Sequence, residues 1–82
     1  MRMLDAEKEV SVRNLQLYLS PSEAQFFRKE LDKLLADPEA IEHSHVFADD
    51  MSREISFSIF TPQKLKASPH YTKLERKIFD EP

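Results

Sequence analysis

Apolar residues recur at helical spacing between Ser20 and Ala36, where they form one side of an amphipathic pattern. Residues three, four and seven positions apart share a face of an α-helix, so the spacing predicts a helix of about four turns that packs on an apolar surface. The apolar side consists of Ala24, Phe27, Leu31 and Leu34, with Leu35 widening it, and the opposite side consists of Arg28, Lys29, Asp32 and Lys33.

The residues at both ends of this helix have the chemistry that starts and stops helices. Ser20 can accept a hydrogen bond from a first-turn N–H group, and Pro21 occupies a position that needs no N–H partner. Glu23 lies three residues after the serine, where its carboxylate closes a capping box. Pro38 disfavours helical geometry at Asp37, so the helix is expected to end there.

Before the helix, a period-two pattern predicts a strand from Ser11 to Leu19. Successive side chains of a strand point to opposite faces, so this alternation indicates one buried face, which we expect to pack against the helix. Met1 to Val10 is polar and is interpreted as a loose N-terminal arm. In the predicted strand, Leu15, Leu17 and Leu19 alternate with Asn14, Gln16 and Tyr18.

Two further strands, Ile41 to Ala48 and Arg53 to Phe60, are separated by four polar or turn-forming residues. Strands joined by so short a segment are expected to pair as an antiparallel hairpin. The pattern of the first strand leaves open whether His43 and His45 face the core or the surface. In the second strand, Ile55, Phe57 and Ile59 share one face, and Glu54, Ser56 and Ser58 share the other.

The C-terminal region contains two more helix-start signals. Thr61-Pro62 predicts a short helical turn through Leu65, and Ser68-Pro69 repeats the same chemistry. Apolar residues then recur at i, i+3 and i+7, which predicts a second helix from about Pro69 to Phe79. These apolar residues are Tyr71, Leu74 and Ile78.

The order strand, helix, strand, strand, helix predicts one small α+β domain over residues 1–82, with residues 1–10 as its loose arm. If the first helix crosses over, the first strand pairs with the hairpin in an antiparallel sheet of about three strands. The amphipathic helix packs on one face, and the other face mixes polar and aromatic side chains, as a contact surface does. The predicted interaction surface consists of Gln16, Tyr18, Ser56, Ser58 and Phe60, with Phe26 at the helix edge.

The chain contains no glycine and no cysteine. Phosphate-binding loops and dinucleotide-binding turns require glycine, because their N–H groups must approach the ligand closely, so both motifs are excluded. A turn that needs positive φ must use an Asn or Asp, and the candidates are Asn14, Asp37, Asp49 and Asp50. Without cysteine there is no disulfide or thiolate metal site, which suits a reducing, cytoplasmic location.

The formal charge of −3 is well mixed along the chain, and no basic stripe is present. Nucleic-acid binding is therefore not expected. No apolar run approaches the roughly 20 residues that a membrane helix needs, so no membrane association is expected.

His43-x-His45 is the one arrangement with the spacing of metal ligands. Both imidazoles of such a strand pair point the same way, and Asp49, Asp50 or His70 could supply a third ligand. The alternative interpretation is that they are surface or core-edge histidines without a metal. No serine lies in a nucleophile elbow, because that turn requires glycine. The chain is therefore interpreted as a non-enzymatic protein that needs no cofactor.

A strand, a Leu-Ser-Pro-Ser-Glu-Ala helix start and a His-x-His hairpin give the chain a resemblance to small bacterial proteins, some of which are immunity-type partners of toxins. The resemblance implies binding rather than catalysis. The sequence thus predicts a homodimeric interaction module, an immunity-type or regulatory protein that contacts a protein partner or a second copy of itself. The competing hypothesis is a small metal- or ligand-binding protein that uses the His43-x-His45 strand.

Overall fold

The computed structural model describes residues 1–67 and 71–82 and shows an α+β fold. Contacts divide the chain into two units, one formed by residues 18–67 and the other by residues 1–17 with the described part of 68–82. The described residues form two antiparallel sheets of two strands each and three helices. In chain order these are β1 Leu4–Asp5, β2 Val10–Ser11, α1 Pro21–Leu35, β3 Ser44–Phe47, β4 Glu54–Phe57, α2 Pro62–Ala67 and α3 Lys73–Phe79.

Helix α1 begins and ends where the sequence predicts. The hydroxyl of Ser20 accepts from the backbone N–H of Glu23 at 3.1 Å, and the Glu23 carboxylate accepts from the Ser20 N–H at 2.8 Å. These two bonds form the predicted capping box, which satisfies two N–H groups that a helix start otherwise leaves unpaired. At the other end, the N–H of Ala36 donates to the carbonyl of Asp32.

Strands β3 and β4 form the predicted hairpin, and α1 packs against β3. The rings of Phe27 on α1 and Phe57 on β4 stack with centroids 4.6 Å apart. Leu34 of α1 and Val46 of β3 are the buried apolar side chains of this unit. The stacking of Phe27 on Phe57 confirms the predicted contact between the helix and the second strand of the hairpin, β4.

The hairpin register settles which face of β3 is buried. Val46 pairs with Ile55 and Ser44 with Phe57, and these side chains lie on the covered face. His45 pairs with Ser56 on the outward face, where Phe47 and Glu54 form the next pair.

The hairpin turn uses positive φ at a residue that the sequence does not indicate. Met51 has φ of 63°, whereas the predicted candidates were aspartates and an asparagine. Asp50 instead supplies a carboxylate that accepts from the N–H and the hydroxyl of Ser52, at 3.0 and 2.6 Å. The turn is closed by bonds from the Met51 N–H to the Ala48 carbonyl and from the Ala48 N–H to the Arg53 carbonyl. The aspartates were therefore the wrong candidates for positive φ. Asp50 precedes the left-handed residue Met51 and stabilises the turn through its side chain.

Helix α2 extends the short turn predicted at Thr61-Pro62. The Thr61 hydroxyl accepts from the N–H of Lys64 and donates to the Glu39 carboxylate at 2.8 Å. Lys64 is buried, and its ammonium donates to the carbonyl of Ile59 at 2.5 Å. A buried ammonium needs such an acceptor, because desolvation of an unpaired charge is costly.

The other unit holds the N-terminal residues, which the sequence interprets as a loose arm. Strands β1 and β2 pair with Leu4 opposite Ser11 and Asp5 opposite Val10. The Asp5 carboxylate accepts from two N–H groups of the intervening turn, and Glu9 has φ of 56°. The structure thus has a short β-hairpin where the sequence predicted a loose arm.

Helix α3 is shorter than the predicted C-terminal helix. It starts at a capping box formed by Thr72 and Glu75, and Ile78 is buried. The predicted start at Ser68-Pro69 lies outside the described residues. Arg2 joins the two ends of this unit, since its guanidinium donates to the carbonyls of Ile78 at 3.0 Å and of Glu81 at 2.6 Å.

The predicted strand from Ser11 to Leu19 is wrong. Only Ser11 belongs to a strand, and it pairs with Leu4 of β1 rather than with the β3–β4 hairpin. Residues 12–20 have no regular secondary structure, and their leucines are exposed. An alternating pattern forms a strand only when another strand pairs with it. Of this segment only Ser11 is paired, and its partner is Leu4 in the N-terminal strand β1.

Candidate functional site

The face of α1 that packs on the hairpin is not the centre of the apolar stripe predicted for it. Leu34 is 6% exposed and Phe27 is half-buried, but Glu30 lies on the same side with a side chain only 15% exposed. At about 100° per residue, the buried side is rotated about 50° from the centre of the predicted stripe. Glu23, Phe27, Glu30 and Leu34 form this buried side.

An ion pair makes the burial of Glu30 possible. The Lys33 ammonium lies 2.8 Å from Glu30 Oε2, although their orientation does not meet the geometry of a hydrogen bond. Because 2.8 Å is a close contact for opposite charges, we assign Lys33 as the partner of this oxygen. The glutamate can therefore turn inward while the stripe beside it turns outward.

The rotation leaves a row of residues exposed along α1, which we call the α1 ridge and define as Ala24, Arg28, Leu31 and Leu35. Their spacing of four, three and four residues places them in one line on the helix. Leu31 is 36% exposed and Leu35 is 55% exposed. The expectation that Ala24 and Leu31 lie in the centre of the helix–sheet contact is therefore wrong.

Phe26 lies on the opposite border of the buried side of α1. It is exposed, as its position beside Phe27 predicts for a residue away from the stripe centre. Its place in the predicted interaction surface remains a prediction.

The other residues of the predicted interaction surface do not share one sheet face. Ser56 lies on the outward face of β4, whereas Ser58 and Phe60 follow the end of that strand. Gln16 and Tyr18 belong to the irregular segment before α1, and Tyr18 is 85% exposed. Their common surface was inferred from a three-stranded sheet, and the sheet that would align them is replaced by a two-stranded hairpin.

The outward face of the hairpin brings together both candidate metal ligands. The rings of His43 and His45 meet edge to face with centroids 4.8 Å apart, and the rings of His45 and Phe47 lie 6.2 Å apart. His45 Nδ1 lies 2.8 Å from Glu54 Oε2 and 2.8 Å from the Ser56 hydroxyl.

Ser56, His45 and Glu54 contain the three groups of a hydrolytic triad but not its geometry. In a triad, the nucleophile bonds one imidazole nitrogen, which takes its proton, while the acid accepts from the N–H of the other nitrogen and holds the ring in that tautomer. Here both groups contact Nδ1. The ring therefore cannot take a proton from the serine on one nitrogen while the carboxylate holds the other.

No three side chains that usually hold a metal ion lie together within residues 1–67 and 71–82. Two of the predicted third ligands have other partners: the Asp49 carboxylate accepts from Ser20 and Ser22 at the start of α1, and the Asp50 carboxylate accepts from Ser52 within the hairpin turn. His70, the third candidate, lies outside the described residues.

Asp49 has a structural role that sequence reasoning missed. Its carboxylate accepts from the hydroxyls of Ser20 at 2.7 Å and Ser22 at 2.9 Å, and its N–H donates to Glu23 Oε2 at 2.8 Å. The turn of the hairpin is thereby tied to the start of α1. The capping box of Ser20 and Glu23 is visible in the sequence, but Asp49 lies 29 residues from Ser20 and carries no local signal.

Two side chains among the described residues have a shifted pKa. The pKa of Asp50 lies below its ordinary value of 3.8, first because the Ser52 hydroxyl donates to its carboxylate and second because the Ser52 N–H does. Burial raises the pKa of Tyr71 above 10.0, and the Glu75 carboxylate adds to the shift. Asp50 stabilises the hairpin turn, and Tyr71 packs edge to face on Phe79 with centroids 4.8 Å apart. Both shifts therefore accompany structural contacts.

Within the part of the chain that the structure describes, no helix combines the length and apolar character that a bilayer crossing requires. Comparisons of the chain with protein-family models, with curated proteins and with solved structures give no match. Function must therefore be inferred from the surfaces described above.

Proposed function

We propose that this chain is a non-enzymatic protein-interaction module that forms a homodimer through the α1 ridge. The observation that carries the proposal is the rotation of α1, which buries Glu30 and exposes Leu31 and Leu35. Apolar side chains that lie in a row on a helix surface mark a contact with another protein more often than a solvated face. A homodimer of this kind is compatible with the regulatory or immunity-type role that the sequence resemblance implies.

The charges beside the ridge favour a second copy of the same chain as the occupant. Arg28 and Asp32 lie one turn apart on α1, and neither forms an ion pair within the described residues. When two copies of a helix pack antiparallel about a two-fold axis near Glu30, Arg28 of each copy comes opposite Asp32 of the other. The surface is thus complementary to itself in charge and in apolar character.

The size of the ridge bears on how tight the dimer is. Four residues on one helix form a small contact, near the lower end for specific association. We therefore expect reversible dimerisation that is visible between micromolar and millimolar protein concentrations. The absence of cysteine supports a cytoplasmic location for such a module.

Sedimentation equilibrium tests the proposal. The wild-type mass is expected to rise from one chain to two with concentration, and Leu35→Glu is expected to abolish the rise because it places charge in the apolar contact. Ile41→Glu is the matched control, since Ile41 is also apolar and is 66% exposed, against 55% for Leu35, but lies off the ridge. A wild type that stays monomeric, or an equal effect of Ile41→Glu, would contradict the proposal.

A charge exchange tests the orientation of the two copies. Arg28→Asp and Asp32→Arg are each expected to weaken the dimer, because each places like charges opposite one another. The double variant restores opposite charges across the two-fold axis and is expected to recover association. If both single variants dimerise as the wild type does, the antiparallel arrangement is wrong.

A further inference from the structure

The contacts of His45 involve one of its two ring nitrogens, Nδ1. Glu54 Oε2 lies 2.8 Å from Nδ1, and an ionised carboxylate can only accept a hydrogen bond. Nδ1 therefore has two polar neighbours on the hairpin, and a proton on Nδ1 is the tautomer in which Glu54 can accept from the ring. The Ser56 hydroxyl, also 2.8 Å from Nδ1, can share the same proton as an acceptor.

With Nδ1 engaged by Glu54 and Ser56, Nε2 is the nitrogen of His45 that can donate a lone pair to a metal ion. Metal-binding histidines usually show this arrangement, in which a carboxylate holds one ring nitrogen and thereby orients the other toward the ion. The outward face of the hairpin supplies a second imidazole beside the first, since the ring of His43 is 4.8 Å away. His43 is exposed.

From this geometry we propose that His43 and His45 bind a divalent transition-metal ion, with Glu54 as a positioning residue. The two imidazoles donate nitrogen lone pairs, and Glu54 fixes the orientation of His45. Two nitrogen ligands favour copper(II) over nickel(II) and nickel(II) over cobalt(II), as borderline ions with nitrogen donors generally do. The site is independent of the proposed dimer, because it uses the outward face of the hairpin and no residue of the α1 ridge.

The coordination is completed by water. No group of three candidate protein ligands is found among the described residues, so the ion keeps solvent-exchangeable positions. Such a site is weaker than a closed structural zinc site with four protein ligands. Its expected role is reversible binding of the ion at the protein surface, without a contribution to folding.

Calorimetric titration with copper(II) alone, at neutral pH in a buffer that does not bind copper, tests the site. One ion per chain is expected to bind to the full-length wild type. Glu54→Ala is expected to lower the affinity about tenfold, as the loss of a carboxylate behind a ligand does. His43→Ala and His45→Ala are each expected to lower it further. Binding that is unchanged in either histidine variant would overturn the proposal.

Two matched controls separate this site from general attraction of a cation. Glu7→Ala removes the same charge from an exposed position in the other unit, and it is expected to leave the affinity unchanged. His70→Ala removes the remaining histidine of the sequence and is also expected to have no effect. An effect of either control equal to that of Glu54→Ala would show that copper does not use the proposed site.

Nuclear magnetic resonance of the metal-free protein tests the tautomer directly. The nitrogen chemical shifts of His45 are expected to show a protonated Nδ1 and an unprotonated Nε2 in the neutral ring. Glu54→Ala is expected to shift the tautomer population away from this form, while Glu7→Ala leaves it unchanged. A protonated Nε2 in the neutral ring that is equally populated in wild type and Glu54→Ala would show that Glu54 does not position His45, and it would overturn that part of the proposal.

Discussion

At the scale of single residues, Met51 is one of two described residues that have a side chain and a positive φ. Its φ of 63° places a side chain with a Cβ in the left-handed region, which glycine occupies readily. The chain has no glycine to use there. Hydrogen bonds around Asp50 and Ala48 hold the turn in this form. The strain at Met51 is thus offset by the closed hairpin.

Met51→Gly is expected to stabilise the protein by up to about 1 kcal/mol. Relief of the left-handed penalty, about 1–2 kcal/mol, exceeds the extra backbone entropy of glycine, about 0.5–1 kcal/mol. The free energy of unfolding in urea measures the difference. Ala48→Gly is the control, because Ala48 has no positive φ and should lose stability. Equal destabilisation by both changes would mean that Met51 carries no strain.

Asp50 gives a pH dependence whose sign follows from its lowered pKa. A carboxylate with a lower pKa in the folded state stabilises the fold above its ordinary value of 3.8 and loses that contribution as pH falls through the folded pKa. The wild type is therefore expected to have a higher melting temperature than Asp50→Asn at neutral pH, and this difference in melting temperature is expected to disappear at acidic pH. Melting temperatures measured from neutral to strongly acidic pH test this. A gap that does not change with pH would remove the electrostatic explanation.

At the scale of elements, the sequence predicted local features well and non-local ones poorly. The capping box of α1 depends on residues three positions apart, and the β3–β4 hairpin on strands joined by a short turn. The strand predicted at Ser11 to Leu19 required a partner far along the chain, and the pattern itself cannot identify one. The buried side of α1 includes Glu30, whose carboxylate lies 2.8 Å from the Lys33 ammonium, and apolar periodicity does not predict a charged residue there.

The rotation of α1 predicts which of its leucines contributes to stability. Leu34→Ala is expected to cost about 2–5 kcal/mol, because it opens a cavity beside the hairpin. Leu35→Ala removes a side chain that is mostly exposed and is expected to cost roughly 1 kcal/mol or less. Urea unfolding at a protein concentration below that of dimerisation gives both values. Similar costs for the two leucines would contradict the rotation.

The candidate site, like the fold, combines local features that the sequence predicts with non-local features that it does not predict. The two histidines and their common direction follow from period-two spacing, which is local, and the structure places their rings together. The contacts of His45 with Glu54 and Ser56 depend on the register of the hairpin, and a shift by one residue would have turned them to the other face. The α1 ridge was not predicted, because each of its leucines had been assigned to the interior.

At the scale of the whole molecule, each of the two units is held together by its own set of polar contacts. The N-terminal hairpin and α3 are joined through Arg2, and the Ser11 hydroxyl also donates to the Glu81 carboxylate at 2.8 Å. In the other unit, Asp49 joins the hairpin turn to α1. Each unit thus holds together segments that are distant in sequence by polar bonds, with few fully buried apolar side chains among the described residues.

Arg2→Ala is expected to increase amide hydrogen exchange in β1, β2 and α3. The variant loses donors to the carbonyls of Ile78 and Glu81, which lie in and after the last turn of α3. Exchange in α1 and the β3–β4 hairpin is expected to stay as in wild type, because their bonds do not involve Arg2. Arg2→Lys, which keeps the charge but not the forked donors, is the control and should rescue only in part. An equal rise throughout the described chain would show that Arg2 supports both units.

The joint between the α1 cap and Asp49 also has a consequence for the order of folding. The bonds between Ser20 and Glu23 span three residues and can form while the rest of the chain is unfolded, whereas Asp49 arrives from 29 residues away. A formed cap lowers the cost of helix nucleation. Ser20→Ala is therefore expected to slow folding, and Asp49→Ala is expected chiefly to speed unfolding. Stopped-flow measurements in urea separate the two rates, and equal slowing of folding by both variants would place the hairpin turn in the folding nucleus.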